Sequence, residues 1–359
     1  MEPISLRDYE KFAEEAMEAS TWDFFRGGSD DEVTLRANCD AFQHWRLRPR
    51  MLVGGEPCDY RTTVLGTPVS MPILVAPTAY HCLAHPEGEC ETARGTGAAG
   101  TLLAVSTHAT RTLEEVAQAA TGPLWFQLYV YKERNISEAL IRRVEEAGYR
   151  ALVLTVDAPR LGNREQVRRS GFTLPPGMQR ANFVQQEKQT VQKQVAGTSG
   201  FASHANARFD ETLSWEAIDW LRSITSLPIL VKGILRADDA RLAVEHGVDG
   251  IIISNHGGRQ LDSAVATLDA LPEIVAAVAG ASEIYIDGGI RRGTDVLKAL
   301  ALGARAVLVG RPVIWGLATH GAAGVEHVLR ILREELELAM ILSGYHTLQS
   351  IDSSLVTRV

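Results

Sequence analysis

Short runs of Val, Ile and Leu, each too brief for a helix, recur along the chain: Pro72 to Ala76, Thr101 to Val105, Leu124 to Leu128, Ala151 to Val156, Pro228 to Val231, Gly250 to Ile253, Glu283 to Ile286 and Arg305 to Val309. Continuous apolar runs of this length mark strands buried on both faces, the pattern of a parallel sheet. Between them lie segments with helical spacing, rich in Ala, Glu and Arg, such as Ile136 to Ala147, Arg236 to His246, Leu268 to Val278 and Arg292 to Leu302. Eight strands alternating with helices predict an α/β protein. Its favoured architecture is a closed (β/α)8 barrel, with a doubly wound open sheet as the alternative.

One connection breaks the rhythm. Between the fourth and fifth strands, Gln179 to Arg208 is rich in Gln, Lys, Ala and Ser and has no sustained apolar period. So long a connection in a compact barrel is expected to be a lid or mobile insertion, here read as an active-site loop. Residues 1–71 read as an N-terminal extension with a helix beginning near Leu6, an acidic turn from Gly27 to Glu32 and a basic stretch from Trp45 to Arg50. The extension is expected to pack on the barrel, whose strands fall within 72–320. Residues 321–359 read as a C-terminal helical segment of the same single domain.

Composition narrows the function more than the fold. The 359 residues are 45% hydrophobic and 22% charged, which suits a large folded core and excludes disorder. With 36 Lys and Arg against 44 Asp and Glu, the net charge of -8 has the wrong sign for a partner of nucleic acid or of an anionic membrane. Cys39, Cys58, Cys82 and Cys90 show neither CxxC spacing nor zinc-finger histidines, so no metal centre and no disulfide framework is expected. No stretch approaches the ~18 apolar residues of a membrane span, and Met1 to Tyr9 has no apolar run. A cytoplasmic location is the expectation.

Chemistry in such barrels lies at the C-terminal ends of the strands. Here those ends read Pro77, Thr78 and Ala79, then Ser106, Gln127 and Tyr129, Thr155 and Asp157, Lys232, Ser254-Asn255-His256, Asp287-Gly288-Gly289, and Gly310-Arg311. One such polar residue would ordinarily bond to nearby backbone; the whole set converges on one mouth. Asp287 to Gly293 and Val309 to Pro312 place glycines and arginines where barrels commonly bind phosphate. Lys232, after an apolar run, calls for an anion or a developing negative charge, with Schiff-base chemistry as another use. His256 is the natural general base, Asp157 is placed to stabilise its imidazolium, and Arg259 suits a substrate carboxylate.

The run Ser254 to Asp262, SNHGGRQLD, together with Leu230-Val231-Lys232-Gly233, Asp287 to Arg291, Val309 to Pro312 and Trp125 to Tyr129, resembles the FMN-dependent 2-hydroxy acid oxidases, such as the glycolate, lactate, long-chain hydroxy acid and hydroxymandelate oxidases. The resemblance spans essentially the whole chain. It implies His256 as base, Asp157 as its charge partner, Arg164 and Arg259 as carboxylate clamps, and Tyr129 as a hydroxyl donor near the reacting oxygen. It puts Lys232 at the N1/O2 edge of FMN and Ser106, Gln127, Thr155 and Ser254 on the flavin or its ribityl chain. Asp287, Gly289, Arg291, Gly310 and Arg311 would hold the ribityl and phosphate, and backbone around Pro77, Thr78 and Ala79 would face N5. The implied reaction oxidises an L-2-hydroxy acid to the 2-oxo acid and reduces oxygen to hydrogen peroxide, in a homotetramer. Whether His256 takes the carbon-bound or the hydroxyl proton stays open.

Two positions depart from the glycolate oxidase pattern. Phe24 stands where those enzymes carry a tyrosine, and His108 replaces a tryptophan. The expectation is therefore a substrate larger or more apolar than glycolate, aryl or of medium to long chain. A dehydrogenase or a lactate monooxygenase of the same family is the alternative reading. A non-redox barrel isomerase or lyase acting on a phosphorylated metabolite is the alternative from another class.

Overall fold

The structure, a computed structural model, describes residues 2–55, 57–183 and 209–359. Eight parallel strands close into a barrel in sequence order: β1 (Ile73–Val75), β2 (Leu103–Ser106), β3 (Leu124–Leu128), β4 (Leu152–Thr155), β5 (Ile229–Ile234), β6 (Gly250–Ile253), β7 (Glu283–Asp287) and β8 (Ala306–Val309). Each expected strand is present, and the four expected helices appear as Arg134–Glu146, Ala237–Glu245, Thr267–Val278 and Gly293–Ala301. The open-sheet alternative is excluded because β8 pairs with β1, Val307 opposite Ile73.

Strand parity explains how one barrel carries both a dry core and a polar mouth. Side chains alternate across a strand, so every second residue points inward. Leu74, Ala104, Trp125, Val153, Leu230, Ile252, Tyr285 and Leu308 belong to one cluster, separate from the layer packed between strands and helices. Trp125 meets Tyr285 edge to face at 5.4 Å. Two residues further along, the same inward parity gives Ser106, Gln127, Thr155, Lys232, Ser254 and Asp287. The polar ring is thus the next layer above the apolar fill. Below it, Val64 and Val69 of the antiparallel pair Thr62–Val64 and Thr67–Val69 join the inner cluster and close the floor.

Three findings amend the sequence reading. Lys232 lies inside β5, not after it; the strand runs on to Ile234 across a register shift between Lys232 and Ile234. The C-terminal segment is not helical throughout. Helix Arg311–Ser343 begins directly after β8 and kinks at His320 and Gly321. The chain then ends in strand Val356–Arg358, which pairs antiparallel with Trp45–Leu47 of the basic stretch. Of the expected loop Gln179 to Arg208, residues 184–208 lie outside the described residues; Ala181–Phe183 forms a short 3-10 turn.

The extension packs on the barrel through helices Leu6–Ala16, Ala19–Arg26 and Val33–Asp40. Leu6, Tyr9, Trp22, Phe24 and Phe25 are all buried within the main core. The last of these helices is capped by a side chain from the barrel: the Asp262 carboxylate accepts from Val33 N at 3.2 Å and Thr34 N at 2.8 Å.

Candidate active site

The inward residues of the upper layer form a hydrogen-bonded ladder around the mouth. Ser106 and Gln127 sit in register on β2 and β3, and Ser106 Oγ donates to Gln127 Oε1 at 3.3 Å. Gln127 Nε2 donates in turn to Thr155 Oγ1 at 3.0 Å. Lys232, in register with Thr155, donates to Ser254 Oγ at 2.7 Å and pairs with Asp287 at 3.1 Å. The second oxygen of that carboxylate, Asp287 Oδ1, is buried and has no hydrogen-bond partner among the described residues.

Above this ladder lies a second tier on the loops. His256 Nδ1 is 3.0 Å from Asp157 Oδ1, and His256 Nε2 is 3.4 Å from the Tyr129 hydroxyl. An ionised Asp157 only accepts, so it selects the tautomer with the proton on Nδ1 and leaves the Nε2 lone pair toward Tyr129. His256 adopts φ +60°, a left-handed conformation that costs a non-glycine residue energy. Its N–H donates to Ser254 Oγ at 3.0 Å, which helps to hold that turn.

The electrostatics set each group's state near neutral pH. Burial pulls the His256 imidazole below its ordinary value, with Asp157 opposing, so the ring is neutral. Burial alone would raise Asp157, but His256 beside it and Lys232 beyond bring its carboxyl below the ordinary value. Burial, then the Asp157 charge, pushes the Tyr129 phenol up, so it keeps its proton. Burial and the neighbouring Arg164 and Arg311 charges hold Arg259 well below its usual value, while burial and Arg291 bring Arg311 down to about 10.

These arginines are met by main-chain carbonyls of the extension. Arg259 Nη1 donates to Gly27 O at 2.7 Å, and Arg311 donates to Phe25 O, Arg26 O and Gly27 O at 3.0 to 3.1 Å. Arg164 Nε approaches Arg259 O at 3.5 Å. Neutral carbonyls satisfy donors without cancelling charge, so the mouth keeps a positive potential that calls for anions.

One cavity joins both tiers. Of the residues expected in the site, Pro77, Thr78, Ala79, Ser106, Gln127, Tyr129, Thr155, Lys232, His256, Asp287, Gly289, Arg291, Gly310 and Arg311 line it. So do Phe24, His108, Arg164 and Arg259. Asp157 and Ser254 stand behind it, against His256 and Lys232. Sequence reading missed Phe25 and Ile290 on the wall, and also Phe172, stacked on Phe24 at 4.7 Å, and Phe209, stacked on Tyr129 at 4.6 Å. An isolated Phe gives no signal of its neighbours. It missed too the braces behind the wall. Glu89, buried, accepts from His81 N, Thr110 N and Arg111 N at 3.0, 2.9 and 3.1 Å and joins the loops after β1 and β2. Among the described residues no group of three or more His, Cys, Asp or Glu suits a metal ion, and no helix is long and apolar enough to cross a membrane.

Residues 13–358 match the family model described as FMN-dependent dehydrogenase. The chain belongs to that family. It is 49% identical to an L-lactate oxidase of Nostoc sp. over 98% of this chain and 97% of the relative. It is likewise 49% identical to 2-hydroxyacid oxidase 1 of Homo sapiens over 99% and 96%, and to a glycolate oxidase of Spinacia oleracea over 99% and 95%. A mandelate oxidase solved with (S)-4-hydroxymandelic acid superposes with a TM-score of 0.94 at 42% identity, covering 99% of each chain. This family member is therefore an FMN-dependent oxidoreductase on a (β/α)8 barrel, and the non-redox reading is set aside.

The residues present fit FMN. An edge of alternating donors and acceptors suits the polar rim of a flavin, Asp287 Oδ1, buried without a partner among the described residues, suits a hydroxyl, and Arg291 and Arg311 beside Gly289 suit a phosphate. Gly289 is the tightest point: at φ +79°, a Cβ there would lie 2.0 Å from Asn38 O of the extension. Gly289→Ala is expected to cost more than about 1 kcal/mol of stability in denaturant unfolding. An unchanged midpoint would contradict the close approach.

Proposed function

We propose that the protein oxidises an L-2-hydroxy acid to the 2-oxo acid. The observation that carries this reading is the meeting, in one cavity, of an imidazole backed by a carboxylate, a phenol and two arginines. In this reading Arg164 and Arg259 hold the substrate carboxylate, and Tyr129 donates to the substrate oxygen. His256 Nε2 accepts a proton, and Asp157 then faces the imidazolium it forms. The substrate gives up two electrons and two protons. The chemistry FMN supplies when bound is two-electron acceptance, with oxygen as terminal acceptor and hydrogen peroxide as its product. Ser106, Gln127, Thr155 and Lys232 are assigned to its ring, with backbone at Pro77, Thr78 and Ala79 facing N5. Asp287, Gly289, Arg291, Gly310 and Arg311 are assigned to its ribityl and phosphate, with Ser254 acting through Lys232.

The finer substrate assignment is a hydroxy acid larger or more apolar than glycolate. Glycolate and lactate oxidases among the curated relatives point by their names to small acids, and the mandelate oxidase structure to an aryl acid. Supporting the larger substrate is the apolar wall of Phe24 and Phe25, with Phe24 stacked on Phe172 and covered by the Arg259 guanidinium at 5.4 Å. A cytoplasmic location and an assembly of four copies complete the proposal. The exposed Met51, Leu52, Leu338 and Leu342 support the assembly.

The direct test is to mix the flavin-loaded protein under nitrogen with glycolate, (S)-lactate or (S)-mandelate and follow the flavin bands. Bleaching is expected, fastest with the larger acids; no bleaching by any of them would refute the reaction, and fastest bleaching by glycolate would refute the size assignment. The pH profile tests the base. Because burial lowers His256, kcat/KM is expected to fall on the acid side with an apparent pKa below the ordinary imidazole value of 6.5. Asp157→Asn removes the charge that opposes this lowering, so the acid limb should move to still lower pH while the rate drops. An acid limb above 6.5 would contradict the assignment.

A further inference from the structure

Gln260 belongs to the same run as His256 and Arg259, yet the reaction above gives it no part. Its side chain is buried, 7% exposed, and turned away from the cavity toward the loop after β4. Nε2 donates to Asp157 O and to Arg160 O, each at 2.9 Å, and Oε1 accepts from Gly162 N at 3.1 Å. All the hydrogen-bonding groups of one amide therefore run from the loop after β6 to the loop after β4. These two loops leave strands that are not neighbours, since β5 stands between them.

We propose that Gln260 is a positioning residue that fixes Asp157 against His256 and keeps Arg164 beside Arg259. The proposal rests on the reading of His256 as the base. A pairing at 3.0 Å between residues on separate loops holds only if the loops are tied, and these loops contain Gly162, Gly257 and Gly258. A second observation shows how close the two backbones lie: a Cβ on Gly162 would come within 2.4 Å of Arg259 O and 2.5 Å of Gln260 O. The residue type follows from the three partners. Two carbonyls need two donors and one N–H needs an acceptor, which a neutral amide provides; a carboxylate offers no donor to the carbonyls, and a thioether offers them none and the N–H only a weak acceptor.

The test is a double-mutant cycle on the flavin-loaded enzyme, with Gln260→Met, Asp157→Asn and the pair, read as the anaerobic rate of flavin reduction by (S)-mandelate or (S)-lactate. Gln260→Met is expected to lower the rate on the order of 10- to 100-fold alone. In the Asp157→Asn background the same change should cost less than about 3-fold, because the residue it positions is already disabled. Asp262→Ala, in the same loop, removes the cap of helix Val33–Asp40; its loss should appear in thermal stability and be additive with Asp157→Asn. If Gln260→Met does not retain flavin, Gln260→Glu, which keeps the length and the acceptor, carries the cycle. Additive losses for Gln260 and Asp157 would overturn the positioning role alone. An Asp157→Asn rate equal to that of the unaltered enzyme would overturn the reading of the base, and this proposal with it.

Discussion

Positive charge held in a partly buried mouth is the constraint on which the site depends. Lys232 is neutralised by Asp287, whereas the Arg259 and Arg311 guanidiniums are met by the carbonyls of Phe25, Arg26 and Gly27. Carbonyls at the end of helix Ala19–Arg26 orient the arginines and, at a helix C-terminus, offset part of the charge without removing it. In the proposed function, what is left over would be matched by anions of two kinds, a carboxylate at the His256 end and a phosphate at the Gly289 end. The N-terminal extension is thus part of the chemistry. Its Asn38 and the barrel's Asn255 exchange amide hydrogen bonds at 2.8 and 2.7 Å, and Asp262 caps its last helix.

The barrel was legible because its signal is local and repeated: eight apolar runs of strand length, six of them followed by a polar residue of the same inward parity. That parity also made the ring legible, since Gln127, Thr155, Lys232 and Asp287 follow Trp125, Val153, Leu230 and Tyr285 by two positions. The Ser254 to Asp262 run was recognisable, but its division of labour was not. His256 and Arg259 face the cavity, Ser254 braces His256 and Lys232, Gln260 braces Asp157 behind His256, and Asp262 serves the extension.

What stayed hidden is what depends on long-range packing. Nothing along the chain announces that Val356–Arg358 pairs with Trp45–Leu47, that Phe172 stacks on Phe24, or that Glu89 joins two loops by accepting from three backbone N–H groups and a threonine hydroxyl. Each is an encounter between segments with unremarkable local sequence. The apolar run behind β5 stops at Val231, before Lys232, yet the strand shifts register at Gly233, at φ +119° beside Asp157, and continues to Ile234.

The excess of positive charge is tested most directly by titrating flavin-free protein with FMN and with riboflavin, which differ by the phosphate. FMN is expected to bind tighter on the order of 100-fold or more, since the phosphate would meet guanidiniums that have no carboxylate partner among the described residues, and Arg311→Gln is expected to remove most of that difference. Equal affinity for the two flavins would contradict it.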